Sequence, residues 1–431
     1  MLMLALGFSS GLPLLLVLGT FSARLAFSDI DVKTIGLFSY LALPYSLKFL
    51  WAPAVDKLDL PVLASGLGRR RAWMVLSQLC VALALTLMAF ADPERHLALL
   101  GLGAFLVAFS AATQDIVIDG WRIDAAGTEM QGVMAATSNL GYRLALIAAG
   151  AGALVLAQWA GWTAAYLMMA SLMSVGLLAA LVAPVADRKP TFQSEGGSAT
   201  VSPARWSFRR GIIEPVADLY DRLGPKLWAI LLMVALYRMP DFVSGVMANP
   251  LYRTVGYSLA EIAAVTKLYG IWVGIFASFV AGWAITRFGL YPAFVAGGAL
   301  AAASHLSLSW LSYGPPEVWR LTVAISIDNF GGGFAGTALI AYMSGLTGAG
   351  FAASQYALLS SLYALPGKLV AGSAGFVVAA FGFPAFFALT AMIGVPVVIL
   401  CLLFGRTSTE GRSEPASSTA AAGSDVEVKP A

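Results

Sequence analysis

The chain has 431 residues, of which 59% are hydrophobic and only 11% are charged, and its mean hydropathy is +0.80. Soluble domains carry about 25% charged residues, and barrel strands alternate apolar and polar residues over about 10 positions, so the long, continuously apolar runs of this chain exclude both classes. The formal net charge of +3 is too small to indicate a nucleic-acid partner. Cys80 and Cys401 lie in apolar runs of opposite halves, which predicts free thiols.

Apolar runs of about 20 residues recur in two groups of six and predict an all-α membrane protein with twelve transmembrane helices. We expect a six-helix bundle in residues 1–184 and another in residues 227–404. Between them, residues 185–226 predict a cytoplasmic linker with a short surface helix. The composition of residues 405–431 predicts a disordered tail. The predicted spans are 2–23, 34–54, 72–91, 97–117, 131–156, 162–184, 227–248, 260–285, 290–312, 317–343, 352–380 and 383–404.

Basic residues concentrate in the loops on the side of the two termini, including Lys57 and the run Arg69, Arg70 and Arg71. Because cytoplasmic loops carry an excess of Lys and Arg, this distribution places both termini in the cytoplasm. We therefore expect a multi-pass membrane protein with both termini in the cytoplasm.

The two groups of helices carry the signs of an internal duplication. A shift of 221 residues aligns positions in the fifth and sixth spans with positions in the eleventh and twelfth, and a second shift places Asp56 and Lys57 over Thr286 and Arg287. Two such halves favour a central cavity with substrate near the midplane of the membrane, as in major facilitator transporters. The pairs aligned by the first shift are Tyr142 with Tyr363, Gly161 with Gly382, Trp162 with Phe383 and Tyr166 with Phe387.

Specific motifs carry a closer resemblance. The loop DKLDLPVLASGLGRRRAW resembles the major facilitator loop signature. Over most of residues 1–404, the chain resembles the AmpG muropeptide permeases, through GFSSGLPLLLVLGT, DVKTIGLFSY with LKFLWAPAVDK, SAATQDIVIDGWRID, LGYRLALIAAG and ASQYALLSSLYALPGK. Gln131, Arg24 and the second-half loop TRFG depart from the family pattern.

The resemblance implies a major facilitator fold and a proton-coupled secondary transporter that works by alternating access. Its implied substrates are anhydromuropeptides, cell-wall fragments of a disaccharide and a peptide, imported from periplasm to cytoplasm for peptidoglycan recycling. The resemblance also implies a place in the bacterial inner membrane and a link to β-lactamase induction. The implied partners are the muropeptide, protons and the lipid bilayer, and we expect a monomer.

The fourth apolar run leads directly into Gln114, Asp115 and, one helical turn later, Asp119. An ionised carboxylate in the membrane core costs about 2.5 to 3.5 kcal/mol, so such acids usually face a wet cavity and mark a pathway. We predict that Asp115 couples transport to protons, with Arg143 or Lys48 as its cation, and that Asp119 and Asp328 are further candidates. The alternative is that TQDIVIDGW only ends the helix, with its acids in the loop.

A substrate with carboxylates, amides and sugar rings needs cations, polar side chains and aromatic faces around it. Polar residues within the predicted spans supply all three. Alternative structural roles remain open: Arg238 and Asp241 as a self-neutralising pair, Lys267 snorkelling to the interface, Asn329 in helix packing, and Tyr142 and Tyr363 as packing residues. The predicted substrate-binding residues are Lys48, Tyr45, Gln114, Asn139, Tyr142, Arg143, Arg238, Asp241, Lys267, Tyr269, Asn329, Tyr363 and Lys368.

The loop cluster of Asp56, Arg69, Arg70 and Arg71 predicts a conformational latch. An enzyme is disfavoured because the two histidines, His96 and His305, lie far apart near span ends, and no nucleophile elbow or Walker loop is present. No cofactor or metal is expected. The alternative functions are a carrier of another bulky anion such as acetyl-CoA, a drug exporter, or a membrane sensor that does not transport.

Overall fold

The described part of the chain is helical throughout and forms two bundles. The computed structural model describes residues 1–60, 63–125, 128–185, 214–347 and 352–408. The N-terminal bundle contains six spans: span 1 (Leu2–Val17 and Gly19–Phe27), span 2 (Val32–Phe38, Leu43–Leu47 and Ala52–Lys57), span 3 (Arg69–Phe90), span 4 (Leu97–Ala125), span 5 (Thr128–Ile147 and the start of Ala153–Val182) and span 6 (the remainder of Ala153–Val182).

The C-terminal bundle repeats this organisation, and a short helix, Glu214–Leu223, precedes it in the segment where the sequence indicates a surface helix. The six spans are span 7 (Leu227–Tyr237 and Met239–Val255), span 8 (Leu259–Ile262 and Gly270–Phe288), span 9 (Leu290–Leu311), span 10 (Val318–Leu346), span 11 (Ala352–Ala371 and the start of Ala374–Phe404) and span 12 (the remainder of Ala374–Phe404).

Nine helices in the described residues are long and apolar enough to cross a membrane. The difference from the predicted twelve has a physical origin. Span 2 is broken into short segments, which begin near Pro44 and Pro53, because proline cannot donate the backbone hydrogen bond of a helix interior. Spans 5 and 6 run together, and span 11 is interrupted before it continues into the last long helix.

Four glycines at corresponding positions support an internal repeat that relates the two bundles. Gly161 (φ 81°, ψ 165°) and Gly382 (φ 77°, ψ 168°) divide spans 5 and 6 and spans 11 and 12 in the same way. Gly68 (φ 78°, ψ 160°) and Gly289 (φ 91°, ψ 162°) precede spans 3 and 9. Positive φ angles favour glycine, and both pairs obey the shift of 221 residues found in the sequence.

Glycines also let spans 1 and 5 cross with their backbones in contact. A methyl group added at Gly141 would lie 2.0 Å from the Leu4 carbonyl oxygen, and one added at Gly7 would lie 2.1 Å from that of Ser138. Helices in lipid associate through such close packing of small residues, because lipid tails provide no hydrophobic drive.

The two bundles pack against each other on the side opposite the termini, which we call the distal side. Gly36 of span 2 lies against Gly375, and the Tyr40 ring lies over Gly372 of span 11. Between spans 1 and 7, the amide nitrogen of Asn249 donates to the Gly19 carbonyl at 2.9 Å. These contacts close the distal side between the described residues of the two halves.

A second group of distal contacts is electrostatic and local. Arg253 pairs with Asp29 across the halves at 3.4 Å, and the Arg253 guanidinium also lies over the Phe27 ring. Both charged side chains are largely exposed, so this pair is worth at most about 1 kcal/mol. An ion pair this weak can break and form again without a large cost in free energy.

The close crossing of spans 1 and 5 predicts the effect of one methyl group. Gly141→Ala should destabilise the protein by about 1 to 3 kcal/mol through overpacking, although alanine alone favours a helix by about 1 kcal/mol. Gly282→Ala is the control, because no heavy atom lies within 4 Å of the added methyl group. Thermal unfolding in detergent measures the stability of both variants. Equal stability of the two would contradict the close contact between the backbones of spans 1 and 5.

Candidate functional site

A cavity of about 770 Å³ is lined by residues of both bundles. Arg143 of span 5 contributes a cation from the N-terminal half, and Arg238, Asp241, Asp328 and Asn329 contribute polar groups from the C-terminal half. The site therefore combines cations of both halves with two acids of one half. Because membrane proteins keep charges away from lipid, this chamber provides the polar surroundings that these residues need.

Arg238 owes its position to a break in span 7. The residue lies between the helices Leu227–Tyr237 and Met239–Val255, with backbone angles of φ −106° and ψ 4°. Pro240 is the second residue of the helix Met239–Val255, in the first turn, where a backbone N–H has no partner within the helix and its loss costs little. Asp241 follows in the same turn, where a negative charge complements the helix dipole.

The C-terminal half contains a connected cluster of charges around Asp241. Arg238 Nε lies 2.9 Å from Asp241 Oδ2, and its Nη1 donates to the Gly332 carbonyl at 2.5 Å. His305 Nε2 lies 3.4 Å from Asp241 Oδ1 and 3.2 Å from the Ser244 hydroxyl. Asp241 therefore contacts a guanidinium on one side and an imidazole on the other.

His305 is the member of this cluster that the sequence analysis missed. Its side chain is fully buried in span 9, and Asp328 of span 10 lies within electrostatic range of it. The sequence analysis set the residue aside because it lies near a span end and has no metal-ligand partners. The signal that could have found it is the presence of an ionisable group in an apolar helix, AAASHLSLSW.

Asp115 occupies a separate site in the N-terminal half. Ser10 of span 1 donates to Asp115 Oδ1 at 2.5 Å, and Lys48 Nζ of span 2 lies 3.8 Å from Oδ2. Tyr45 and Tyr142 lie within electrostatic range of the carboxyl. Of the two cations considered for Asp115, the structure therefore selects Lys48.

Arg143, the other cation considered for Asp115, does not pair with it in this structure. Among the residues that the structure describes, Arg143 has no ion-pair or hydrogen-bond partner, and it lines the chamber that contains Arg238. In the sequence, Arg143 follows Asn139 by one helical turn. That spacing could not show which neighbouring helix the Arg143 guanidinium faces, and Asn139 itself is exposed.

Spans 2 and 11 connect the two halves near Asp115. Lys368 Nζ of span 11 donates to the Ser46 hydroxyl of span 2 at 2.6 Å, and Lys48 lies within electrostatic range of Lys368. Lys368 and Asp241 also line a smaller, mostly apolar cavity of about 230 Å³ between the halves. Any relative movement of the halves therefore alters the surroundings of Lys48.

Several predicted binding residues lie away from the chamber. Gln114 is fully buried and donates to the Ser9 hydroxyl at 2.8 Å, so it packs spans 1 and 4 together. Tyr269 bonds to Ser326 in a groove with Trp272, on another face of span 8. Helical periodicity alone did not distinguish these faces of spans 4 and 8 from the face that lines the chamber, and a substrate-binding role for the two residues stays a prediction.

Asp119 and Lys267 have neighbours outside the chamber. Asp119 is exposed near the end of the helix Leu97–Ala125 and pairs with Arg122 at 3.5 Å, which favours the alternative of a helix-end role over proton coupling. Lys267 does not snorkel to an open interface: its Nζ lies beside Gly19 of span 1, and its stem lies against Gly150 of span 5. It occurs in a π-helical segment, Ala263–Tyr269, that faces the π-helical segment Ala148–Gly152.

The aromatic and amide candidates have mixed roles. Tyr363 stacks on Phe242 with ring centroids 6.2 Å apart, which supports packing within the C-terminal half. Asn329 lines the chamber while its amide nitrogen donates to Ile325 O and packs over Gly270. The packing and binding interpretations are therefore compatible for Asn329.

The loop arginines brace one bundle. Arg70 pairs with Asp124 of span 4 at 3.2 Å, and Arg71 donates to the Ala180 carbonyl of span 6. Arg69 begins span 3, and the side chain of Asp56 lies outside the described residues. The observed contacts of Arg70 and Arg71 link spans 3, 4 and 6 within the N-terminal half.

Arg24, one of the departures from the family pattern, has a structural role. Its guanidinium donates to the carbonyls of Met88 at 2.8 Å and Ala91 at 2.7 Å, at the end of span 3, and lies over the Tyr166 ring. Those terminal carbonyls lack helical partners, so a buried cation satisfies them. The side chain of Gln131, the other departure, lies outside the described residues.

Comparisons with known proteins agree with this architecture. The sequence profile of the Major Facilitator Superfamily matches residues 1–371. Among solved structures, the nucleoside transporter NupG has a TM-score of 0.66 at 13% identity, covering 94% of this chain and 97% of its own. The D-xylose-proton symporter has a TM-score of 0.67 at 12% identity, covering 95% and 97%. These likenesses establish the fold.

Other relatives share a higher sequence identity with the chain. The anhydromuropeptide permease of Escherichia coli K12 is 34% identical over 408 residues, covering 94% of this chain and 79% of the relative. An AmpG transporter of Rickettsia felis is 31% identical over 403 residues, covering 93% and 95%. The predictions of a major facilitator fold and of a transporter rather than an enzyme are confirmed. The chain belongs to the AmpG family of permeases within the major facilitator superfamily.

Proposed function

We propose that this protein imports anhydromuropeptides from the periplasm to the cytoplasm, driven by the inward flow of protons. The observation that carries the proposal is the polar chamber between the bundles, with an arginine from each half. Its volume of about 770 Å³ is that of a pocket for a sizeable organic molecule. The permease of Escherichia coli, which the chain matches over nearly its whole length, supports this substrate class.

Muropeptide carboxylates match the cations of the chamber. Arg143 is available for a carboxylate, and the fork of a guanidinium binds such a group through two parallel hydrogen bonds. Arg238 is held by Asp241, so a substrate carboxylate competes with an internal one for it. Asn329 and Ser278, which also line the chamber, offer partners for hydroxyl and amide groups.

Asp115 is the proposed proton-coupling residue. A carboxyl in the membrane interior exchanges protons when burial and the proximity of a cation change between states. Lys48 supplies that cation at 3.8 Å, on a segment of span 2 that also carries Ser46, the partner of Lys368 across the halves. Lys48 and Asp115 belong to the same half, so rocking of the halves would instead move Lys368 relative to Ser46 and Lys48. This movement would change the electrostatic surroundings of the Lys48–Asp115 pair and so couple protonation to access.

The proposed orientation follows from the same arrangement. With both termini in the cytoplasm, the distal contacts of Gly36, Tyr40 and Asn249 close the periplasmic side, so the structure corresponds to an inward-facing state. The moving bodies would be residues 1–184 and 227–404, joined by a cytoplasmic linker at 185–226, in a monomer of the inner membrane.

Asp115→Asn should abolish accumulation of anhydromuropeptide driven by a pH gradient in proteoliposomes. Exchange of labelled for unlabelled substrate should continue, because asparagine keeps a hydrogen-bonding partner for Ser10 but cannot release a proton. Asp119→Asn is the matched control and should accumulate substrate normally. Gradient-driven accumulation by the Asp115 variant would refute the assignment.

Arg143→Gln should weaken the binding of a carboxylate-bearing anhydromuropeptide by roughly 10- to 100-fold, because a hydrogen bond to a charged group contributes about 1.5 to 3 kcal/mol. Calorimetric titration of the purified protein measures the effect. The same muropeptide with its carboxylates amidated is the control and should bind the wild type and the variant alike. Equal weakening for both ligands would point to a structural defect instead.

A cross-link between the distal loops should stop transport but leave the chamber accessible from the side of the termini. Cysteines at Asp29 and Arg253, introduced after replacement of Cys80 and Cys401, would be joined by a short bis-maleimide reagent. Substrate binding in detergent should persist, and uptake into proteoliposomes should cease. Each single-cysteine protein, treated in the same way, should keep transporting; continued uptake by the cross-linked protein would argue against alternating access.

A further inference from the structure

The function proposed above gives no task to His305, a buried titratable residue of span 9. His305 is fully enclosed by the C-terminal bundle, and its Nδ1 has no hydrogen-bond partner in the described part of the chain. Its Nε2 faces Asp241 Oδ1 at 3.4 Å, on the side of the carboxylate away from Arg238. An imidazole in this place can hold a proton or release it without leaving its position.

The arrangement makes Arg238 a shared cation. Its Nε is bound to Asp241, while the residue also lines the substrate chamber opposite Arg143. If a substrate carboxylate takes Arg238, Asp241 remains as a buried carboxylate without its guanidinium. Such an uncompensated buried charge is strongly destabilising.

We propose that His305 binds a proton when a substrate carboxylate displaces Arg238 from Asp241, so that an imidazolium replaces the guanidinium as partner of Asp241. The proton comes from bulk solvent as hydronium and reaches the site through water in the chamber. One O–H bond of the hydronium ion breaks, leaving water, and one N–H bond forms on the imidazole; no covalent bond between heavy atoms changes. One negative charge enters with the substrate and one positive charge enters with the proton, so the net charge of the cluster is preserved.

The route for the proton is short. The Ser244 hydroxyl lies 3.2 Å from His305 Nε2, and Ser244 lines the chamber. A hydroxyl can donate one proton while accepting another, so it can connect chamber water with the imidazole.

The other groups around His305 agree with this charge balance. Span 7 presents Arg238 and Asp241, and span 10 presents Asp328, which is within electrostatic range of all three other members of the cluster. The described helix Gly270–Phe288 of span 8 carries an ionisable group only near its end, at Arg287, and span 12 carries only Cys401. With neutral His305 the cluster has one cation and two carboxylates, so it has room for one more positive charge.

The inference rests on the proposed function for the identity of the ligand, but the exchange of partners is a property of the protein itself. It can therefore be tested without substrate. The chain contains two histidines, and His96 is exposed at a loop. In a His96→Gln background, isotope-labelled histidine gives a single imidazole signal, whose nuclear magnetic resonance shift reports the charge of His305.

Arg238→Gln should raise the pH at which half of His305 is charged by about one pH unit or more, because a neighbouring positive charge is lost and Asp241 is left free. Arg238→Lys keeps the charge and should titrate like the parent. Arg238→Gln combined with Asp241→Asn should reverse the rise. Identical titration of the parent and the Arg238→Gln variant would overturn the inference.

The second arm uses the parent protein and covers the case in which the Arg238 variant fails to fold. Saturating anhydromuropeptide should increase the charged fraction of His305 at constant pH, and the same ligand with amidated carboxylates should not. If Arg238→Gln shifts the titration but the bound muropeptide does not, the linkage to substrate fails. If muropeptide does not bind the parent at all, the proposed substrate is wrong, and the Arg238 series alone decides whether the partner exchange stands.

Discussion

Pairing of buried charges is the constraint on which this structure depends. Asp115 with Lys48, and Asp241 with Arg238, are ion pairs between groups that lipid would reject. Each pair sits where a span is broken: Lys48 in the interrupted span 2 and Arg238 between the two helices of span 7. A break in a helix leaves backbone groups without helical partners and lets side chains point in directions that a straight helix does not allow. Such breaks are tolerated in membrane proteins where they line a cavity.

The two pairs differ in what surrounds them, and this difference suggests a division of work. The Asp115 pair lies beside spans 2 and 11, which join the halves through Ser46 and Lys368, so it is placed to respond to movement of the halves. The Asp241 pair lines the chamber, so it is placed to respond to the ligand. Coupled transport needs both responses, because protonation must depend on access and on occupancy together.

The sequence predicted those features of the fold that depend on composition and on internal duplication. The shift of 221 residues predicted that Gly161 corresponds to Gly382, and both adopt the same left-handed conformation. The side of a helix that faces the chamber was harder to read, since apolar residues surround membrane helices on all faces. Periodicity therefore did not show that Gln114 contacts Ser9 of span 1. His305 was set aside because it lies near a span end, and its partner, Asp241, lies two spans earlier in the sequence.

The central claim is that substrate and protons cross together through the chamber between the bundles. Its most direct measurement is the internal pH of proteoliposomes that carry the wild-type protein and a trapped pH indicator, after anhydromuropeptide is added outside without an imposed gradient. The account predicts acidification of the interior that follows substrate entry in time and amount. Entry of labelled muropeptide with no change in internal pH would contradict it.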